Sequence, residues 1–233
     1  AHSRHTMDGM MQLDMEGRRR VVIEAVRPAV DGGRFPIKRI QGEVVTVEAD
    51  VFADGHEELR VVLEYRDADA TEWQSAPMIP LGNDRWRGEF PVTRLGRAEY
   101  RVAGAVDHYR GWRRDLIKRL DAGQDVRVDI QIGLRHLQQA AVKATGGDAK
   151  LLRDWCERIP HADHATLRGL CADDGLLAVL DRVSPPEFVT SSEPVLSVTV
   201  ERERARFSAW YELFPRSAST VPGRHGTLRD VIA

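Results

Sequence analysis

Val195-Leu-Ser-Val-Thr-Val-Glu-Arg-Glu-Arg-Ala-Arg-Phe-Ser-Ala-Trp-Tyr-Glu-Leu-Phe214 (VLSVTVERERARFSAWYELF) is the most aromatic passage of the chain, and it reads as a strand far downstream of every other strand-like segment. A strand so isolated needs a partner. The arrangement of least cost returns it to the sheet built from the first hundred or so residues. The segments in between then become an insertion, which is cheap because the ends of an inserted domain lie close together.

From about Arg20 to Asp107 the chain reads as strand after strand. Val21–Val26 comes first and stops at Pro28. Between Val44 and Phe52, Val45, Val47, Ala49 and Val51 alternate with Thr46, Glu48 and Asp50, a period of two that marks a sheet with one wet face. Asp54-Gly55 turns the chain into Leu59–Tyr65, which predicts a hairpin. Trp73–Pro80, Arg85–Phe90 and Ala98–Val106 continue the series, separated by Gly82-Asn83-Asp84 and Thr93–Gly96. Short strands at such intervals predict an immunoglobulin-like β-sandwich.

The period changes after Trp112. Val126, Ile130, Leu134, Leu137 and Ala141 recur at three- and four-residue steps on one helical face. Gly146-Gly147 is expected to end that helix. Leu151, Leu152, Trp155 and Ile159 form a second stripe, ended by Pro160. Leu167 and Leu170 begin a third, and Leu176, Leu177, Leu180 and Val183 a fourth, capped by Asp173 or Asp174. Three or four short helices with short joints predict a small bundle. The fold expected is therefore mixed β and α: an immunoglobulin-like sandwich over 20–110 and 194–217 with an inserted helical bundle over 111–193. Residues 1–19 carry no periodic pattern and are expected to be an appended or disordered lead-in.

The bulk numbers agree with an ordinary soluble globular protein: of 233 residues, 42% are hydrophobic and 30% charged. Thirty-four basic residues against 36 acidic ones give a formal charge of −2. That balance provides no electrostatic footprint for nucleic acid or an anionic membrane. No apolar run approaches the ~20 residues of a membrane span. The two cysteines cannot build a disulfide framework, which predicts a cytoplasmic protein.

Four residues carry metal-ligand chemistry, Cys156, His161, His164 and Cys171. Their spacing, C-x4-H-x2-H-x6-C, lacks the paired arms usual in zinc sites, and core cysteines with loop histidines are the reading preferred. Gly146-Gly147-Asp148-Ala149-Lys150 lacks the phosphate-loop spacing and follows a helix rather than a strand, so it is read as a helix end and turn. No G-x-S-x-G elbow occurs. Asp173-Asp174 and Glu57-Glu58 are adjacent pairs that cannot oppose one another across a glycosidic bond. Trp86, Tyr109 and Trp112 could stack sugar rings, although closing the sandwich against the helices is the preferred role. His56 and His108 are read as merely polar. No catalytic, cofactor-binding or metal residue is assigned, and no cofactor is expected.

Five stretches in order resemble the amino-terminal region of bacterial α-1,4-glucan:maltose-1-phosphate maltosyltransferases of the α-amylase clan. They are Val22–Pro28 with Asp31–Lys38, Gly42–Val45 with Val51–His56, Pro80–Gly88, Trp112–Gln124, and Ala205–Ser217. The resemblance implies an immunoglobulin-like domain interrupted by a helical bundle. It also implies that the aromatic segment leads into a (β/α)8 barrel, with 218–233 as the start of that barrel, truncated here. It further implies a retaining transfer of maltosyl units from maltose 1-phosphate to α-1,4-glucan whose catalytic residues lie beyond Ala233. This chain would then be inactive alone, with homodimerisation and the glucan-facing surface as its contributions. The alternatives are a free-standing carbohydrate-binding module and a pure assembly scaffold.

Overall fold

A computed structural model describes residues 20–55, 57–207 and 212–232. The expected lead-in at 1–19, His56, and Trp210-Tyr211 within the aromatic passage lie outside the described residues.

Among the described residues ten strands form two sheets. The first contains β1 (Val21–Arg27), β3 (Val44–Ala53), β7 (Arg85–Pro91) and β6 (Ile79–Gly82), in the order β1-β3-β7-β6 and antiparallel throughout. The second runs β2 (Ile37–Ile40), β10 (Leu196–Glu201), β8 (Gly96–Val106), β4 (Leu59–Asp67) and β5 (Gln74–Pro77), with the short β9 (Thr190–Ser191) also on β8. The distant strand does return: Val198 lies opposite Ala98 in antiparallel β8 and opposite Ile37 in parallel β2. β10 thus fills a gap between two early strands, and β2 is joined to the sheet through β10.

The alternation in β3 does what it predicts. Val45, Val47, Ala49 and Val51 are all buried, and they share one cluster with Leu63 of β4, Phe90 of β7, Tyr100 of β8 and Val198 of β10. Tyr65 stacks on Phe90 at a centroid distance of 4.9 Å, and Phe90 meets Tyr100 at a tilt at 5.5 Å. The Tyr100 hydroxyl, deep in this core, donates to the Pro28 carbonyl, and burial pushes its pKa up to about 12.

Three strand expectations need correction. Asp54-Gly55 does not close a hairpin: β3 pairs with β1 and β7, while β4 pairs with β8 and β5. The turn carries the chain from one sheet to the other, so the inner faces of β3 and β4 meet across the core rather than side by side. The expected strand Trp73–Pro80 is two short strands, β5 and β6, one in each sheet. The closing strand ends at Glu201, and Glu203–Arg206 form a 3-10 turn. Phe207 is 78% exposed and Phe214 69% exposed, so these aromatics do not face the sheets. The tight hairpin lies instead at β6–β7, where Asn83 (φ 48°) and Asp84 (φ 60°) supply the two left-handed residues that such a turn requires.

Five helices follow β8 before the chain returns: α1 (His108–Asp121), α2 (Arg127–Lys143), α3 (Gly146–Arg158), α4 (His164–Ala172) and α5 (Asp174–Val183); a short α6 (Leu228–Ile232) comes after β10. Helical structure begins at His108, inside the range expected for the sandwich. Gly146-Gly147 opens α3 rather than merely ending α2, with Gly146 at φ 57° and Ala144 already extended. Asp107, Asp163 and Asp173 cap α1, α4 and α5 by accepting from the amides of Arg110, Thr166 and Leu176 at 2.8–2.9 Å. The helices enclose their own cluster, centred on Trp112, Leu116, Leu137, Leu152, Leu167 and Leu176.

Candidate functional site

The passage from β8 into α1 is the most elaborated part of the molecule. Asp107 ends the strand, caps the helix and is almost wholly buried. Its carboxylate accepts from Arg60 of β4 at 3.1 Å and from the Arg110 guanidinium at 2.6 Å. Both arginines continue to Asp181 of α5: Arg60 donates to one of its oxygens, and Arg110 to the pair at 3.1 and 3.0 Å. Two carboxylates and two guanidinium groups therefore close a ring that joins β4, α1 and α5. Burial alone would raise the Asp107 carboxyl, but the Arg110 amide and guanidinium and the Arg60 charge outweigh it and hold it below the usual carboxylate range. Beside this ring, Arg114 donates to Glu58 at 2.8 Å, adding a second tie between the helices and the loop before β4.

A cleft of about 560 Å³ opens above the ring, between the start of α1, one face of α2 and the segment 184–188. Val106, Tyr109, Val142, Leu180 and Pro185-Pro186 make its apolar walls. His136, Gln139 and Lys143 line it at the three- and four-residue spacing of a single α2 face, and His108, Ser184 and Glu187 complete the polar edge. The Tyr109 ring meets the His136 imidazole edge-on at 6.3 Å and Trp112 at 5.3 Å. Burial, and next the neighbouring His108, lower the pKa of His136 and keep it neutral near pH 7. Burial pushes the Tyr109 phenol above its ordinary range. Phe188 lines the mouth with φ at 56°, a conformation that an aromatic residue rarely adopts.

The residues singled out from the sequence fall elsewhere, apart from Tyr109 and His108. Trp112 is in the second core: its indole donates to the Asp129 carbonyl at 2.7 Å, and its ring packs flush on Gly133. Trp86 packs against the first core and donates to the Val51 carbonyl at 3.1 Å. Cys171 is buried in the second core, its thiol pushed up to about 11 by burial. Cys156 is half-buried against that core, while His161 and His164 are exposed at the 3-10 turn before α4 and at its first residue. Among the described residues no three His, Cys, Asp or Glu side chains group to hold a metal ion. Asp173 is a helix cap, and Glu58 is an ion-pair partner. Gln139, Lys143, Phe188, Arg60 and Asp181 were not legible as a site. The one local signal was the polar stripe 136–139–143 running beside the apolar stripe of α2.

Residues 19–202 match the family described as alpha-1,4-glucan:maltose-1-phosphate maltosyltransferase, domain N/S. Relatives carrying that enzyme's name include a protein of Chlorobaculum tepidum, 42% identical over 93% of this chain and 32% of its own length. A protein of Methylacidiphilum infernorum is 37% identical over 94% of this chain and 32% of its own length. One of Myxococcus xanthus is 40% identical over 90% and 33%. The chain thus spans about a third of the length of these relatives. No helix among the described residues is long and apolar enough to cross a membrane.

Proposed function

This chain belongs to the α-1,4-glucan:maltose-1-phosphate maltosyltransferase family, and from that premise we propose that it is the non-catalytic amino-terminal region of such an enzyme. In this reading the two sheets are an immunoglobulin-like sandwich hosting the five helices as an inserted bundle. Residues 218–233 are the start of the catalytic barrel. The whole enzyme extends α-1,4-glucan from maltose 1-phosphate in the cytoplasm, as a homodimer whose assembly and glucan-facing surface these residues support.

The observation that carries the proposal is the alignment itself: the match is to the region named N/S, and it accounts for about a third of each relative. Three features of the molecule support it. β10 rejoins the early sheet, the helices have a core of their own, and Phe207, Leu213, Phe214, Leu228 and Ile232 leave the sheets with their apolar surfaces exposed. The carbohydrate-module alternative loses its intended platform, because Trp86 and Trp112 are engaged in packing and in hydrogen bonds to carbonyls.

The test is phosphate release from maltose 1-phosphate and glucan by this chain alone, beside sedimentation. No turnover and a dimer are expected. Turnover would overturn the non-catalytic assignment, and a monomer throughout the micromolar range would remove the dimeric part.

A further inference from the structure

We infer that the cleft between α1, α2 and residues 184–188 is a saccharide site that accepts one or two sugar rings of a neutral glycan. Its capacity, about 560 Å³, falls within the range of small-molecule sites. The charges around it decide the class of ligand. Arg60 and Asp107 at its base are already neutralised within the closed ring with Arg110 and Asp181. Of the remaining charges, Lys143 and Glu187 are exposed and of opposite sign. No net field is left to select an anion or a cation.

What remains is a mixture of donors and acceptors beside apolar walls. Gln139 and Ser184 can each donate and accept, and so can the neutral imidazole of His136. Hydroxyl groups need that two-way capacity. A purely apolar ligand would cover these groups without pairing them, which disfavours it. A pyranose ring presents hydroxyls at its edge and C–H groups on its faces, matching the polar stripe of α2 and the rings of Tyr109 and Phe188 respectively. The left-handed backbone of Phe188 lies in the same lining, and strain of this kind gathers at ligand clamps. The choice of α-1,4-glucan as the physiological sugar rests on the proposed function; the cleft's preference for a neutral saccharide does not.

The experiment titrates the full chain with maltotriose and maltoheptaose by calorimetry, and follows the His108 and His136 ring protons by NMR. Saturable binding that shifts both ring signals is expected. Gln139→Ala and Phe188→Ala should each weaken it about tenfold, the equivalent of one to two good contacts, with melting temperature unchanged in Gln139→Ala because that residue is exposed. Trp86→Phe, on the first core, should leave affinity unaltered. Absence of saturable binding, or binding that survives both cleft substitutions, would overturn this inference and leave the non-catalytic assignment standing. Phosphate-releasing turnover would do the reverse.

Discussion

At the scale of single residues, the tightest constraint is Gly133. A Cβ built there would lie 2.1 Å from Cζ2 of Trp112, and the indole cannot withdraw because its N–H is held by the Asp129 carbonyl at 2.7 Å. Overpacking of this kind costs about 1–3 kcal/mol. Gly133→Ala should therefore lower the urea midpoint, whereas Gly169→Ala, which meets nothing within 4 Å, should not. Asp107 provides a pH dependence with a definite sign. Its folded carboxyl titrates below the ordinary value of 3.8, so across that window the unfolded chain binds the proton first. The contribution is intact above 3.8 and is lost as pH falls through the depressed folded value. Denaturation midpoints measured from about pH 5 to pH 2 should fall less steeply in Asp107→Asn than in the parent. The cysteines give a third expectation: Cys171, buried and with its thiol near 11, should resist iodoacetamide at pH 8, and half-buried Cys156 should be alkylated first. Equal rates would contradict the packing described.

At the scale of elements, periodicity predicted type far better than partnership. The alternation of β3 and the stripes of α2 to α5 were plain because each element turns one face to a core. Which strand lies beside which was hidden where two pairings bury the same face. Asp54-Gly55 has the composition of a hairpin turn, and only the competition between β1, β7 and β4 for β3 sends the chain across the core. β2 was missed because four residues, Ile37-Lys-Arg-Ile40, are too few for a period to show, and its partner lies about 160 positions away. The aromatic passage misled in another way. Its strand propensity continues past Glu201, but the sheet ends there and a 3-10 turn follows. Capping could be read directly: of the two aspartates proposed for α5, Asp173 accepts from the Leu176 amide at 2.9 Å. Asp173→Ala should cost about 0.5–2 kcal/mol in thermal denaturation, and Asp174→Ala much less. A reversed order would mean the cap is misassigned. The cleft escaped sequence reading because its walls come from three elements, none of which carries a motif.

At the scale of the whole molecule, two cores meet through a narrow seam. The chain leaves the sheets at Asp107 and returns at Thr190, and the two crossings are fastened side by side. β9 pairs with Ala103 and Gly104, the Ser192 amide donates to the Val102 carbonyl at 2.8 Å, and the Val102 amide donates back to the Ser192 hydroxyl at 3.0 Å. Those bonds hold the backbone crossings, but they do not orient the helices on the sheet. That task falls to the charged ring together with the Arg114–Glu58 pair; within the ring Asp181 is the member from α5 and serves Arg60 and Arg110 together. Removing it leaves two partly buried guanidinium groups facing one carboxylate. The cost stays below that of a fully buried pair, because Asp181 is 36% exposed. Asp181→Ala should therefore destabilise by only about 1–2 kcal/mol and act mainly on cooperativity. In the parent chain, helical ellipticity, which reports the second core, and the fluorescence of single-tryptophan variants retaining Trp86, which reports the first, should change together on denaturation. In Asp181→Ala the two should separate partly, because each core keeps its own buried cluster while one of the ties between them is cut and the Arg60–Asp107 and Arg114–Glu58 pairs remain. Coincident transitions in the variant would show that the backbone crossings, with the remaining Arg60–Asp107 and Arg114–Glu58 pairs, couple the two parts without Asp181.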